Sequence, residues 1–358
     1  MEKRKWIVEL GISTFVETTP DVNTGITISH AERLRQVVEE MILADQVGLD
    51  VYGIGEHHRP DFAASSPAVV LAAAATQTTR IRLTSAVTIL SSTDPVRVFQ
   101  DFATVDGLSN GRAEIMVGRG SFLESFPLFG CDLNDYEELF DEKLDLLLQI
   151  QKSEKVSWSG KHRPAIHELG IYPRPVQEHL PVWIGSAGSP ESAVRAGKMG
   201  LPFVLAIIGP VKPHDYASQA ELYKKAAAEA GHDVSRLTIA SHSHGFVAKE
   251  QKQAIETFFP STFARTNVRA KEKGAPPYTR ANYDAACSPE GALYVGDPET
   301  VAQKIIELRK HVGVTRFMLH MPHGTMPHEE VMEAIRLFGT EVAPRVREEV
   351  ARWEQNQG

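Results

Sequence analysis

The chain has 358 residues, 42% of them hydrophobic and 23% charged, with a formal net charge of -8. That composition suits a globular protein with a sizeable core, and its negative balance argues against nonspecific binding to nucleic acid or an anionic membrane, which needs concentrated positive charge. No apolar run reaches the length of a membrane span, and the start "MEKRKWIVELGISTF" lacks the long apolar stretch of a secretion signal. Cys131 and Cys287 match neither a redox CxxC nor a zinc spacing, so a cytoplasmic protein with two free thiols is expected.

In chain order, strands are expected at 7–14, 51–56, 81–88, 113–118, 182–186, 202–207, 237–247 and 315–320, each a short β-branched or apolar run. Helices are expected near 29–48, 67–78, 95–107, 134–152, 190–199, 213–230, 249–260 and 298–311, with helical pattern again from 327 to 356. Eight strand–helix repeats need right-handed parallel crossovers, and the economical closed solution is an α/β (β/α)8 TIM barrel, with a doubly wound open sheet as the alternative. One domain over 1–358 is expected. Its excess length sits in two insertions: a proline-rich connection at 153–181, and a turn-rich stretch at 261–296, basic in its first half, that is expected to form a mobile lid.

"VYGIGEHHRP" at 51–60 ends an apparent buried strand in ionisable groups. Strand parity puts Gly53, Gly55 and His57 on one face, so that face leaves space beneath a histidine that a flat cofactor could fill. A hydrogen-bonded loop cluster of Glu56, His57, His58 and Arg59 is the bland alternative. At 118–120, Gly-Arg-Gly follows a strand: Arg119 offers a planar fork suited to phosphate, or is a structural arginine. In "VWIGSAGSPESAVRAG" at 182–197, Ser189 suits an N-cap and Pro190 the first helical position. The amides of Ala187, Gly188 and Ser189 could cradle an anion there, or the helix is simply well capped.

Together these pieces resemble the bacterial luciferase-like flavin-dependent monooxygenases: EHH at 56–58, "SAVTIL" followed by "DPVR" at 94–97, "VDGLSNGRAEIMVGRG" at 105–120, "SAGSPESA" at 186–193 and "VGDPETVAQKI" at 295–305. The resemblance runs from about residue 7 to about 347. It implies a TIM barrel that holds FMN at the carboxyl ends of the strands, with His57 catalytic and Arg119 on the FMN phosphate. The implied cofactor contacts also include Glu56, Gly120, Phe122, Ser186, Ala187, Gly188 and Ser189. Ala86 and Val87 match the place of a non-proline cis peptide beneath the flavin.

The implied activity is oxygenation of a small organic substrate, an aldehyde at the family level. O2 and FMNH2 delivered by a separate flavin reductase would form a flavin C4a-hydroperoxide. A homodimer is implied. Gly118 and Phe122 depart from the cysteine and tyrosine of the luciferase α subunit, so light emission does not follow. An F420-dependent hydride-transfer enzyme is the alternative on the same barrel, and a flavin binder without oxygenase activity is a third reading. A metal-dependent hydrolase would need His242, His244, His320, His323 and His328 as ligands, but no set of carboxylates accompanies them, so no metal is expected and these histidines are read as polar lining of a substrate pocket.

Overall fold

The computed structural model describes residues 8–120, 122–207 and 212–356, so Ile7 of the first expected strand lies outside the described residues. The barrel begins with β1 (Glu9–Thr14), α1 (His30–Gln46), β2 (Val51–Ile54), α2 (Pro67–Ala75) and β3 (Arg82–Ser85). The Ala86–Val87 peptide is cis, and the expected 81–88 strand breaks there, resuming as β4 (Thr88–Ile89). Then come α3 (Pro95–Ser109), β5 (Ala113–Gly118), α4 (Ser125–Leu128) and α5 (Tyr136–Lys152). The 153–181 connection folds as an antiparallel hairpin of β6 (Lys155–Trp158) and β7 (Ile166–Gly170).

The second half runs through β8 (Val182–Ser186), α6 (Pro190–Met199), β9 (Phe203–Ile207), α7 (Ala217–Glu229), β10 (Ile239–Val247), α8 (Gln251–Glu272) and α9 (Arg280–Cys287). It ends with β11 (Tyr294–Gly296), α10 (Pro298–Val312), β12 (Arg316–His320), α11 (His328–Leu337) and α12 (Ala343–Gln355). Eight strands (β1, β2, β3, β5, β8, β9, β10, β12) pair in parallel, and β12 returns to β1, closing a (β/α)8 TIM barrel.

Strand alternation sorts the apolar residues into two cores. Outward residues such as Leu10, Ile12, Tyr52, Ile54, Phe317 and Leu319 join the large core beneath the helices. Inward residues Val51, Ala86, Met116, Trp183, Val204, Ala240 and Met318 form a separate cluster that fills the barrel. Below it, Arg316 donates to Glu9 (2.7 Å) and to Glu114, which also accepts from Arg82, while the Arg316 guanidinium lies 4.3 Å from the Trp183 ring centre. These charges are tolerated inside because each has a partner. The arginines hold the Glu114 carboxyl down at about 2 against the opposing effect of burial.

The largest departure from expectation follows β10. Helix α8 continues to Glu272 through Pro260 rather than stopping at 260, and the 261–296 stretch consists largely of α8, α9 and β11 rather than turns. Tertiary anchors described below hold that extension, which local periodicity does not register.

Candidate active site

A cavity of about 210 Å³ opens at the carboxyl ends of the barrel strands. It is lined by the expected residues Glu56, His57, Ala86, Val87, Arg119, Gly120, Phe122, Ser186 and Ala187. Gly188 and Ser189 stand behind it in the turn that leads into α6.

The parity reading of "VYGIGEHHRP" holds in direction but not in consequence. A Cβ on Gly53 would lie 2.8 Å from Met318 Cε and 2.9 Å from Ala86 Cβ, and one on Gly55 would lie 2.5 Å from the Phe15 ring. Side chains, not a ligand, therefore fill the space that these two glycines leave. The glycines that shape the cavity are others: a Cβ on Gly118 would meet Val87 Cγ2 at 2.7 Å, and one on Gly185 would meet Val87 Cγ1 at 2.9 Å. Together they let the Ala86–Val87 segment settle into the barrel mouth, and the small residues Gly118, Gly185, Ala187 and Ala206 leave that wall low.

Glu56 is a brace. Its Oε2 accepts from the Ile89 amide (2.9 Å) and its Oε1 lies 2.9 Å from His58 Nε2, tying the loop after β2 to the chain beyond the cis peptide. His58 is thus the structural donor of the pair.

His57 makes no side-chain hydrogen bond among the described residues, and its buried Nδ1 has no partner. Its ring stacks on Phe62 at 4.1 Å and meets the edges of Phe15 (4.6 Å) and Phe122 (4.9 Å). Burial, reinforced by the Arg265 charge, pushes its pKa down to about 3, so the imidazole is neutral at pH 7.

Further histidines line the same space. His242, His244 and His320 face inward from β10 and β12, and burial depresses all three, His242 to about 3 and His244 to about 4. His320 Nδ1 lies 3.1 Å from Ser13 Oγ, whereas His242 and His244 have no such partner among the described residues. None of these histidines belongs to a convergent ligand set among the described residues; the group that does converge, Asp135, Glu138 and His162, lies elsewhere, and Lys161 already bonds Glu138 there.

At the other end, Arg119 donates to Glu137 and lies 3.4 Å from Ser192 Oγ, and Arg195 bonds the same Glu137 at 3.1 Å. Tyr136 donates to the Gly120 carbonyl at 2.7 Å, and its ring lies 5.5 Å from the Arg119 guanidinium carbon. The Gly188 and Ser189 amides donate to Ser186 Oγ (3.2 and 3.0 Å), and Ser189 Oγ caps α6 by accepting from the Ser192 amide. The capped-helix reading is therefore realised, and beside the cap Arg119 and Arg195 share the exposed Glu137, with Arg195 also paired to Asp141 at 2.6 Å.

Above the aromatic wall, α8 is clamped to the loop after β2. Arg265 bonds Asp61 at 2.9 Å and lies over Phe62, Glu272 bonds Arg59 at 2.6 Å, and Arg269 lies 3.9 Å from the Phe122 centroid. Phe15, Phe62, Arg265 and Arg269 escaped the sequence reading. Phe15 and His57 could have been found together, since each lies just past the inward face of its strand.

A family model described as luciferase-like monooxygenase matches residues 8–316. The alkanal monooxygenase alpha chain of Photobacterium leiognathi is 23% identical over 350 residues, 89% of this chain and 95% of its own length. N-acetyl-S-alkylcysteine monooxygenase of Bacillus subtilis is 26% identical over 302 residues, covering 82% and 88%. Among solved structures, monooxygenase RslO1 of Streptomyces bottropensis shares the fold with a TM-score of 0.80 at 24% identity, covering 94% of this chain and 99% of its own. The oxygenating constituent of 3,6-diketocamphane monooxygenase of Pseudomonas putida, solved with FMN, gives 0.75 at 22% identity, covering 95% and 99%. The F420-dependent tetrahydromethanopterin reductase of Methanopyrus kandleri gives 0.72 at 21% identity with the same coverages. The barrel is thus shared by proteins of two cofactor types, and the model match spans seven of its eight strands and reaches the first residue of the last. On that match the chain belongs to the luciferase-like monooxygenase family.

Proposed function

We propose that this chain is a two-component, FMN-dependent monooxygenase that receives FMNH2 from a separate reductase, uses O2 and oxygenates a small organic substrate. The observation that carries the reading is His57, a neutral imidazole with an unpartnered Nδ1 in a wall of aromatic rings beside a cavity lined by small residues. The residues fit a flat cofactor with an anionic tail on two counts. The wall of Val87, Gly118, Gly185 and Ala187 has little side-chain bulk, and Arg119 with Arg195 and Ser192 supplies the donors that a phosphate takes.

When bound, reduced flavin would supply two electrons and the activation of O2. Ala86, Val87 and Gly118 would hold the ring-sized part, and Arg119 and Ser186 the phosphate. His57 would hold or return a proton at Nδ1, a role open to it because it stays neutral at pH 7. Phe15, Phe62 and Phe122 exclude water from that atom, and α8 roofs them; closure by the 261–296 segment belongs to this proposal. A homodimer, in which the alanine-rich α2 packs closely against a second copy, belongs to it too.

The test is anaerobic titration of the protein with FMNH2 and, separately, with reduced F420, followed by mixing with O2 while oxidised-flavin absorbance is recorded. The expected result is FMNH2 binding and a return of absorbance at least about tenfold slower than for free FMNH2, since the water-excluding wall is what delays it. His57→Ala is expected to keep FMNH2 binding and lose the delay. Binding of reduced F420 but not FMNH2 would replace this reading by hydride transfer on the same barrel.

A further inference from the structure

A larger cavity, about 460 Å³, lies behind the first one. The same two strand ends wall both: Phe15 and His320 face the active-site cavity, whereas Glu17 and Pro322, two residues further along, face the second. Its volume falls within the range of small-molecule sites, roughly 300–1,000 Å³. The walls come from the loop after β1, from α1 and from the segment leading into α11, and Ile28, Met326 and Val331 give them an apolar character. Ile26, 68% exposed, stands at the rim.

The polar groups of this cavity are unevenly satisfied. Arg33 and Glu40 pair with each other at 2.6 Å, and Tyr52 donates to Glu40 at 2.7 Å. Glu17 is different. It is 1% exposed, Oε1 has one long hydrogen bond from the Gly324 amide (3.4 Å), and Oε2 has none among the described residues. A buried carboxylate left half-satisfied costs stability unless something else supplies the donor. The charged groups around it are Arg33 and Glu40 from α1, Arg265 from α8 and His328 at the start of α11, with Asp21 and Glu32 further out. Arg33 is matched by Glu40 and Arg265 by Asp61, so the lining retains a surplus of acid.

We infer that this second cavity is a binding site for a small organic cation, a primary ammonium on an apolar body, whose N–H groups complete Glu17 while the body packs on Ile28, Met326 and Val331. An ammonium provides the missing donors and the opposite charge, and an alkyl chain fills the apolar walls. The site is separate from flavin chemistry and does not depend on the proposed function.

The probe is pentylammonium, with pentanol as its neutral counterpart, measured by isothermal titration of the full chain without cofactor. Saturable one-to-one binding is expected, at least tenfold tighter than for pentanol. Burial pushes the Glu17 pKa up to about 7, so binding at pH 7 should release a fraction of a proton, seen as a heat that changes with the ionisation enthalpy of the buffer. Glu17→Gln should weaken binding at least tenfold and remove most of that release, and His57→Ala should leave both unchanged. No binding, equal binding of pentanol, wild-type binding without proton release, or loss of binding in His57→Ala would each overturn the assignment.

Discussion

At the scale of single residues, chemistry follows from what each side chain is denied. His57 is denied water and hydrogen-bond partners, which makes it a neutral base rather than a cation, and its place after β2 was readable from the "EHH" that ends an apolar strand. The Glu56–His58 contact belongs to the loop cluster that the sequence offered, whereas the second partner of Glu56, the Ile89 amide, is 33 residues away and was not readable. Arg119 makes a sharper case. The sequence marks it as a fork for phosphate, yet here it shares Glu137 with Arg195. If the proposed phosphate contact is right, Glu137 competes for it. Arg119→Ala should then raise the FMN dissociation constant about 10- to 100-fold, the range for a lost charge-assisted hydrogen bond of roughly 1.5–3 kcal/mol. Glu137→Gln should lower it severalfold at low salt, a difference that fluorescence titration resolves.

At the scale of elements, the clearest case is α8. Its first turns carry a helical pattern, but its continuation past Pro260 is held by Arg265 on Asp61 and Glu272 on Arg59, contacts that span more than 200 residues of sequence. The two anchors differ in environment. The Arg265 side chain is 4% exposed, so Asp61→Asn would leave a buried cation without its counter-charge, and a loss on the order of 3 kcal/mol is expected. The Arg59–Glu272 pair is partly solvated, and Glu272→Gln should cost less than about 1 kcal/mol. Urea denaturation of the two variants measures the contrast directly. The opposite situation holds for α6, whose cap was legible from Ser189 and Pro190 because capping is local in the chain.

At the scale of the whole molecule, the barrel interior couples stability to pH. His57, His242, His244, His320 and His323 all have folded pKa values below the ordinary histidine value, so the unfolded chain binds more protons as pH falls. Their contribution is fully present above pH 6.5 and is lost as pH falls, through about 4 for His244 and about 3 for His57 and His242, each group adding a slope of up to about 1.4 kcal/mol per pH unit. Glu114 extends the loss. With a carboxyl held at about 2, its contribution is present above its ordinary value of 4.5 and disappears as pH falls through 2. Denaturant midpoints measured from pH 7.5 to 4 should therefore fall steeply below pH 6.5, and His242→Gln should flatten the slope. Glu114→Gln should be destabilised already at pH 7, because Arg316 then keeps only the partly exposed Glu9 as a charge partner.

The sequence by itself determined the repeat of strand and helix, and with it the barrel, because periodicity and turn residues are properties of neighbouring positions. It also brought His57 to the cavity, since parity at a strand end decides which side chains point inward, whereas Ala86, Val87, Ser186 and Ala187 were expected there through the family resemblance. What fills the space beside a glycine was decided only by the tertiary structure: Met318 and Phe15 occupy the room at Gly53 and Gly55, whereas the low wall of the cavity comes from Gly118 and Gly185. The extent of α8, the shared hold on Glu137 and the half-satisfied Glu17 were likewise decided there. Each depends on which distant groups meet in three dimensions, and neither hydrophobic period nor local propensity carries that information.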